Sequence, residues 1–154
     1  GTSRRQRQMC IRDRFISNPI SALRALHYPT TTDTIIEKQQ RAGAHTDYGS
    51  LTILLPQVGT TGLQIKKKNS WIDVPALEDC LIINIGDLME LWTAGRWVST
   101  LHRVIARPNQ PPRKSLAYFH QPDWDSIINP INSNNYESVV SGPYLMDKFK
   151  STNL

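Results

Sequence analysis

Short apolar runs separated by turn-forming residues dominate this 154-residue chain. Residues 51–55 are mostly apolar and end at Pro56, and residues 63–66 and 71–74 flank a lysine-rich hairpin tip. Runs of about four to eight residues bounded by glycine, proline or asparagine are typical of β-sandwiches and barrels. We predict strands at 20–28, 33–40, 51–55, 63–66, 71–74 and 81–85, the last of them buried.

Helices are predicted in only two places. A short helix is expected to begin at Asp87, where Glu90 three residues later completes a capping box, and to end at Gly95. Residues 144–149 are predicted to form a closing helix, and the polar segment 129–135 a loop. The chain is therefore expected to be one mainly β domain, which its length allows.

Two histidines and one aspartate stand in an order that suits a metal site. His45 and Asp47 are two residues apart, so in a strand both side chains point to one face while Thr46 points to the other. His102 follows 55 residues after Asp47, in a predicted strand whose same face carries mostly apolar side chains, namely Val98, Thr100 and Val104. Two histidines and a carboxylate on one triangular face bind iron(II) and leave about half of its octahedral shell open for ligands.

Arg113 and Ser115 obey the same two-residue rule at the start of the apolar strand 115–119. An arginine fork binds a carboxylate in bidentate fashion, and a serine hydroxyl on the same face supplies a further donor. This pair therefore predicts a carboxylate anchor. Two other histidines, His27 and His120, are interpreted as hydrogen-bonded residues outside the site.

Five ordered stretches of the chain resemble the C-terminal catalytic core of the iron(II)- and 2-oxoglutarate-dependent dioxygenases, in the isopenicillin N synthase-like branch. The similarity extends from about residue 20 to about residue 149. The stretches are 23–29, 43–52, 84–92, 101–104 and 113–115. With the site at the open mouth of the fold, the architecture expected is a double-stranded β-helix, or jelly roll.

The resemblance implies a specific chemistry. Iron(II) would be held by His45, Asp47 and His102, and 2-oxoglutarate would chelate it while Arg113 and Ser115 bind the far carboxylate. Tyr28 would be a further hydrogen-bond partner of the cosubstrate. Dioxygen would then convert 2-oxoglutarate to succinate and carbon dioxide, coupled to oxidation, usually hydroxylation, of a small organic substrate.

Leu26 departs from the family pattern, which often has asparagine at this position in members that use 2-oxoglutarate. Leu26 favours one alternative, an iron oxidase of the same fold that uses no 2-oxoglutarate and binds its substrate's carboxylate on Arg113. A second alternative, favoured by the expected lack of the family's N-terminal region, is a truncated, non-catalytic jelly-roll module.

The net charge of +5 does not predict a nucleic-acid partner, because residues 1–14 carry +4 of it and the other 140 residues only +1. No aromatic residues alternate with the basic run 66–68, as a base-stacking surface would need. No apolar run is long enough to cross a bilayer. Cys10 and Cys80 are the only cysteines, and Cys80 is interpreted as a buried thiol of a reducing compartment, so a cytoplasmic location is expected. Of the oligomeric states, a monomer is favoured.

Residues 1–14 show neither the hydrophobic periodicity of a helix nor that of a strand, and they differ sharply in composition from the rest of the chain. We interpret them as a non-native or disordered segment. Residues 15–154 are then the catalytic domain, without the N-terminal region found in the family.

Overall fold

The computed structural model describes residues 16–31, 40–132 and 135–152. Strands predominate over helices in these ranges, and each element is short. The strands are β1 (Ala22–Tyr28), β2 (Gln40–His45), β3 (Leu51–Pro56), β4 (Leu63–Lys67), β5 (Ser70–Asp73), β6 (Ile82–Ile85), β7 (His102–Ile105), β8 (Arg113–His120), β9 (Ile127–Ile128) and β10 (Val139–Val140). The helices are α1 (Asp87–Trp92) and α2 (Ser141–Thr152).

Two four-stranded antiparallel sheets form the body of the fold. The first sheet has the strand order β1–β8–β3–β6, and the second has the order β2–β7–β4–β5. From β1 to β8 the chain passes back and forth between the two sheets, with only the β4–β5 hairpin staying in one of them. This winding is that of a double-stranded β-helix, so the predicted jelly roll is confirmed.

The space between the sheets is a cavity of about 250 Å³ lined by inward side chains of both. In β8 the inward residues alternate along the strand, and Arg113, Ser115 and Ala117 are all buried. Across the first sheet, Tyr28 pairs with Arg113 and Leu26 with Ser115. The alternation of strand side chains therefore places polar groups inside the fold, in one shared pocket.

Most predicted strands are present within one or two residues of their expected bounds, but the prediction that residues 81–85 are buried is wrong. Ile83 is 60% exposed, and Leu81 is also exposed. The strand β6 lies at a sheet edge, where it pairs only with β3, and Ile83 points away from the cavity that Ile82 lines. The predicted strand 33–40 lies outside the described residues except for Gln40, the first residue of β2.

The capping box is a second incorrect prediction. Helix α1 begins at Asp87, but its N-cap is Gly86 and no side chain caps it. Tertiary contacts use both carboxylates instead: Asp87 accepts a hydrogen bond from Lys148, and Glu90 accepts one from the backbone N–H of Ser99.

The helix ends three residues before the predicted Gly95, at Trp92, with Thr93 as its C-cap. Ala94 (φ +51°) follows the C-cap in the left-handed conformation that glycine usually takes there, and Gly95 (φ +76°) donates its N–H to the Glu90 carbonyl oxygen. The closing helix is confirmed as α2, which is longer than predicted, and the described part of 129–135 contains neither helix nor strand.

Residues outside the site show mixed outcomes. His120 is hydrogen-bonded, as predicted, with Nδ1 2.7 Å from Ser50 Oγ, and His27 is exposed. Cys80 is exposed in the connection before β6, so the prediction of a buried thiol is wrong. Residues 1–14, with Cys10, lie outside the described ranges. In the part of the chain that is described, neither helix has the length and apolar character to cross a membrane.

Candidate metal centre

His45 and His102 face each other across two neighbouring strands of the second sheet. They are register partners in the β2–β7 ladder, and their ring centroids are 4.3 Å apart. The Nε2 atoms of His45 and His102 lie 3.9 and 3.8 Å from Asp47 Oδ1. One ligand atom from each of the three residues lies within 4.8 Å of the other two. The structure therefore brings together all three predicted ligands.

Backbone carbonyls set the orientation of both imidazoles. The Nδ1 atom of His45 lies 2.6 Å from the Gly43 carbonyl oxygen, and Nδ1 of His102 lies 2.9 Å from that of Thr100. A carbonyl oxygen only accepts, so each Nδ1 carries a proton, and Nε2, which holds the lone pair in a neutral ring, is the nitrogen that faces Asp47. This arrangement is the usual way in which a protein orients metal-binding histidines.

Asp47 reaches the site by a different route from the one predicted. Strand β2 ends at His45, so strand alternation does not position Asp47. After His45 the chain bends, and the carbonyl oxygens of Asp47 and Tyr48 accept hydrogen bonds from the backbone N–H groups of Asp87 and Leu88. The start of α1 therefore holds the Asp47 backbone, because the first N–H groups of a helix have no partners within it.

Asn84 completes the support of this carboxylate, a role that the sequence did not reveal. Its Nδ2 donates to Asp47 Oδ2 over 2.7 Å, which leaves Oδ1 to face the two histidines. Asn84 is the one polar side chain in β6, whose other residues are isoleucines. An amide within such an apolar strand is the signal that could have identified it.

These three residues fit a divalent cation. Asp47 is 7% exposed, and within the described ranges it forms no ion pair with a lysine or arginine. Two imidazole nitrogens and one carboxylate oxygen thus converge in a largely buried position, an arrangement of donors that a bound cation would stabilise. Nitrogen and oxygen donors in this number suit iron(II).

The predicted apolar lining near His102 is only partly correct. Thr100 and Val104 do line the cavity, but Val98 is 64% exposed. Strand β7 begins only at His102, so the alternation assumed for Val98 does not extend that far back.

The predicted carboxylate anchor lies in the same cavity. Arg113 and Ser115 are both 7% exposed, and both point inward from β8. Among the described residues, Nε of Arg113 has no hydrogen-bond partner and its guanidinium forms no ion pair. Burial lowers the pKa of Arg113; Tyr28 opposes this effect, and Arg41 adds to it. A buried guanidinium without an anion is a strong potential site for one.

Tyr28 and Leu26 lie beside this anchor on β1. The Arg113 guanidinium carbon is 4.3 Å from the centre of the Tyr28 ring, so the two side chains form a cation–π contact. Leu26, opposite Ser115, adds an apolar side chain to the cavity wall. All six predicted site residues therefore line one pocket, which holds the convergent donor atoms at the ends of β2 and β7 and the arginine on β8.

Comparison with known proteins gives a consistent family. The profile of the 2OG-Fe(II) oxygenase superfamily matches residues 19–122. The 2-oxoglutarate-dependent dioxygenase thnC of Trichoderma harzianum is 36% identical over 88% of this chain and 42% of its own length. The 1-aminocyclopropane-1-carboxylate oxidase 1 of Cucumis melo is 35% identical over 73% of this chain and 35% of its own.

Solved structures agree. A full-length Neurospora crassa protein in complex with alpha-KG has a TM-score of 0.84 and 38% identity, over 92% of this chain and 47% of that one. The complex of the same Neurospora protein with alpha-KG and thymine has a TM-score of 0.83 and 38% identity, over 91% and 46%. The chain thus spans less than half the length of these relatives. By sequence match and by fold, it belongs to the 2OG-Fe(II) oxygenase superfamily.

Proposed function

We propose that this protein is an iron(II)-dependent dioxygenase that couples the conversion of 2-oxoglutarate and dioxygen to succinate and carbon dioxide with oxidation of a small organic substrate. The observation that carries the proposal is one cavity with two complementary features. Three potential ligand atoms lie within 4.8 Å of one another, and a buried arginine without an anionic partner among the described residues lines the same space. The domain responsible would be residues 15–154.

His45, Asp47 and His102 would hold the iron, each through the single atom that faces the other two. When bound, iron(II) supplies the activation of dioxygen and a point of attachment for the keto acid. Three protein ligands leave positions open for both. The protein's part is to fix the ring orientation of both histidines through the Nδ1–carbonyl hydrogen bonds, so that Nε2 faces the metal position, and to orient Asp47 through Asn84.

Arg113 would bind the far carboxylate of 2-oxoglutarate, and Ser115 would add a hydroxyl donor to it. Tyr28 would be the further hydrogen-bond partner of the cosubstrate, and its ring, in cation–π contact with Arg113, would help to hold the guanidinium in place. Burial strengthens this pairing because the anion replaces lost solvation of the arginine. The alpha-KG complexes of the Neurospora crassa protein support this assignment by similarity.

The substrate would be a small molecule, since the Neurospora crassa protein also binds thymine and the cavity is small. In a hydroxylation, one oxygen atom of dioxygen would enter succinate, and the other would enter the new hydroxyl group of the product. The expectations of a cytoplasmic monomer without a nucleic-acid partner stay predictions.

The experiment is succinate formation by the purified chain with iron(II), 2-oxoglutarate and dioxygen. We expect turnover in the wild type, none in His102→Ala, and unchanged turnover in His27→Ala, which removes an exposed histidine outside the site. Circular dichroism would verify that both variants fold. Full succinate formation in His102→Ala would remove His102 from the ligand set, and none in the wild type would favour the non-catalytic alternative.

A second candidate is a 2-oxoglutarate-independent oxidase, favoured by Leu26 in the cavity wall and by the similarity to 1-aminocyclopropane-1-carboxylate oxidase 1, whose name gives a substrate that carries its own carboxylate. In that case Arg113 would bind the substrate's own carboxylate. The distinguishing measurement follows oxygen uptake and succinate together, across candidate substrates. Oxygen uptake without succinate would establish the second candidate.

A further inference from the structure

Helix α2 contacts the short loop of residues 46–48, which follows His45 and contains Asp47. Tyr48, next to Asp47, has its hydroxyl 2.5 Å from Thr152 Oγ1. Its ring also meets the Phe149 ring edge-on, with centroids 5.5 Å apart. The C-terminal helix therefore packs directly on the segment that carries Asp47, although it contributes no ligand atom.

A second link between α2 and this loop passes through Asp87. Lys148 Nζ donates to Asp87 Oδ2 over 2.7 Å, and Thr46 Oγ1 donates to the same oxygen over 3.2 Å. Thr46 lies between His45 and Asp47 in sequence and does not line the cavity that holds the metal site. One carboxylate oxygen thus joins the helix to the residue between two proposed ligands.

Asp87 also holds the loop through its backbone. Its N–H donates to the Asp47 carbonyl oxygen over 2.8 Å. Any displacement of Asp87 would therefore move both Thr46 and Asp47. The Asp87 side chain is largely buried, and a lysine is its one cationic partner among the described residues. Removing that cation would leave a buried carboxylate that gains by moving toward water.

We propose that Lys148 is a positioning residue for the metal site, acting through Asp87 and Thr46 on the loop that carries Asp47. The proposal rests on the metal site of the proposed function. Lys148 is suited to the role because its ammonium lies 5.4 Å from the centre of the Tyr144 ring as well as on Asp87. Residues beyond the ligands commonly alter metal affinity because they fix the geometry of the ligands themselves.

The test is a Co(II) titration of the full chain, free of iron, followed by the visible absorption of the bound ion. We expect Lys148→Met to weaken Co(II) binding by about tenfold, at the lower limit of such effects. Lys148→Arg should restore most of the affinity, since arginine can also donate to Asp87. The matched control is Lys150→Met on the same helix, because Lys150 is 74% exposed and pairs only with the exposed Asp147 among the described residues.

Several outcomes would overturn the proposal. One is an unchanged Co(II) dissociation constant in Lys148→Met. If the melting temperature of this variant falls while its Co(II) affinity does not, the role of Lys148 is purely structural. Equal weakening of Co(II) binding in Lys150→Met would also overturn the proposal.

If Lys148→Met does not fold, Thr46→Val decides, because it removes the hydrogen bond between Thr46 and Asp87 without altering the helix. Weaker Co(II) binding in Thr46→Val supports the proposal, and unchanged binding refutes it. A wild type that binds no Co(II) refutes the metal site itself, whereas a bound ion with unchanged affinity in the variants refutes only the positioning role.

Discussion

Asn84 donates a 2.7 Å hydrogen bond from its Nδ2 to Oδ2 of Asp47, across 37 residues of sequence. The bond occupies one carboxylate oxygen and leaves the other facing His45 and His102. It thereby selects which oxygen is available to a metal ion. The amide is neutral, so it orients Asp47 without cancelling the negative charge that a cation requires.

We therefore expect Asn84→Leu to weaken metal binding. Leucine is close in size to asparagine but cannot donate, so Asp47 would lose its fixed orientation. Loss of a hydrogen bond to a metal-binding carboxylate commonly costs about tenfold to a hundredfold in affinity. The measurement is the Co(II) dissociation constant, with Asn69→Ala in the exposed β4–β5 turn as control. An Asn84→Leu variant with wild-type affinity would show that the bond is dispensable.

Arg113→Lys should impair use of 2-oxoglutarate while leaving metal binding intact. Lysine keeps the charge but lacks the planar fork that engages both oxygens of a carboxylate. We expect the KM for 2-oxoglutarate to rise by roughly tenfold, the value of one charge-assisted hydrogen bond, with little change in the Co(II) dissociation constant. An unchanged KM would place the cosubstrate's carboxylate elsewhere.

Gly86→Ala should destabilise the fold because the loop and the start of α1 approach too closely for a side chain. A Cβ at position 86 would collide with the backbone carbonyl of Gly49. Overpacking against rigid backbone typically costs about 1–3 kcal/mol of unfolding free energy. Gly43→Ala is the control, because its Cβ would meet only the Gln40 side chain, at 3.9 Å. Urea denaturation measures both, and equal stability of the two variants would contradict the expectation.

His120 should make the fold less stable in mild acid. Burial lowers the pKa of this residue in the folded state. The unfolded chain, with its histidine pKa near 6.5, therefore binds more protons than the folded chain in the range just below that value. The contribution of His120 to the free energy of unfolding is therefore fully present above about pH 7, and it declines as the pH falls toward about 5.

The measurement is the melting temperature from pH 7.5 to 5 at constant ionic strength. His120→Gln removes the titrating group, so its melting temperature should fall less over this range than that of the wild type. His27→Gln, which alters an exposed histidine, should follow the wild type. Parallel pH dependence in all three proteins would exclude His120 as a source of acid sensitivity.

Sequence patterns grouped the predicted ligands and the anchor, and the structure places them in one pocket, but the patterns did not predict how Asp47 is held. The side chains of His45 and Asp47 do converge, yet Asp47 lies beyond the end of β2 and is fixed by α1 and Asn84. The capping-box prediction failed for the same reason. The sequence that begins at Asp87 matches a short-range motif, but in the structure the Asp87 carboxylate accepts a hydrogen bond from Lys148, 61 residues away. A local motif states which bonds a side chain can form, and distant partners decide which bond it does form.

By itself, the sequence determined the chemistry available to this protein: which side chains can bind a metal or a carboxylate, and which share a strand face, since alternation depends only on neighbouring residues. Tertiary structure alone decided that Ile83 is exposed, that Asn84 orients Asp47, and that α2 packs on the ligand loop. These features depend on contacts between residues far apart in the chain. Such contacts exist only once the two sheets have closed around the cavity.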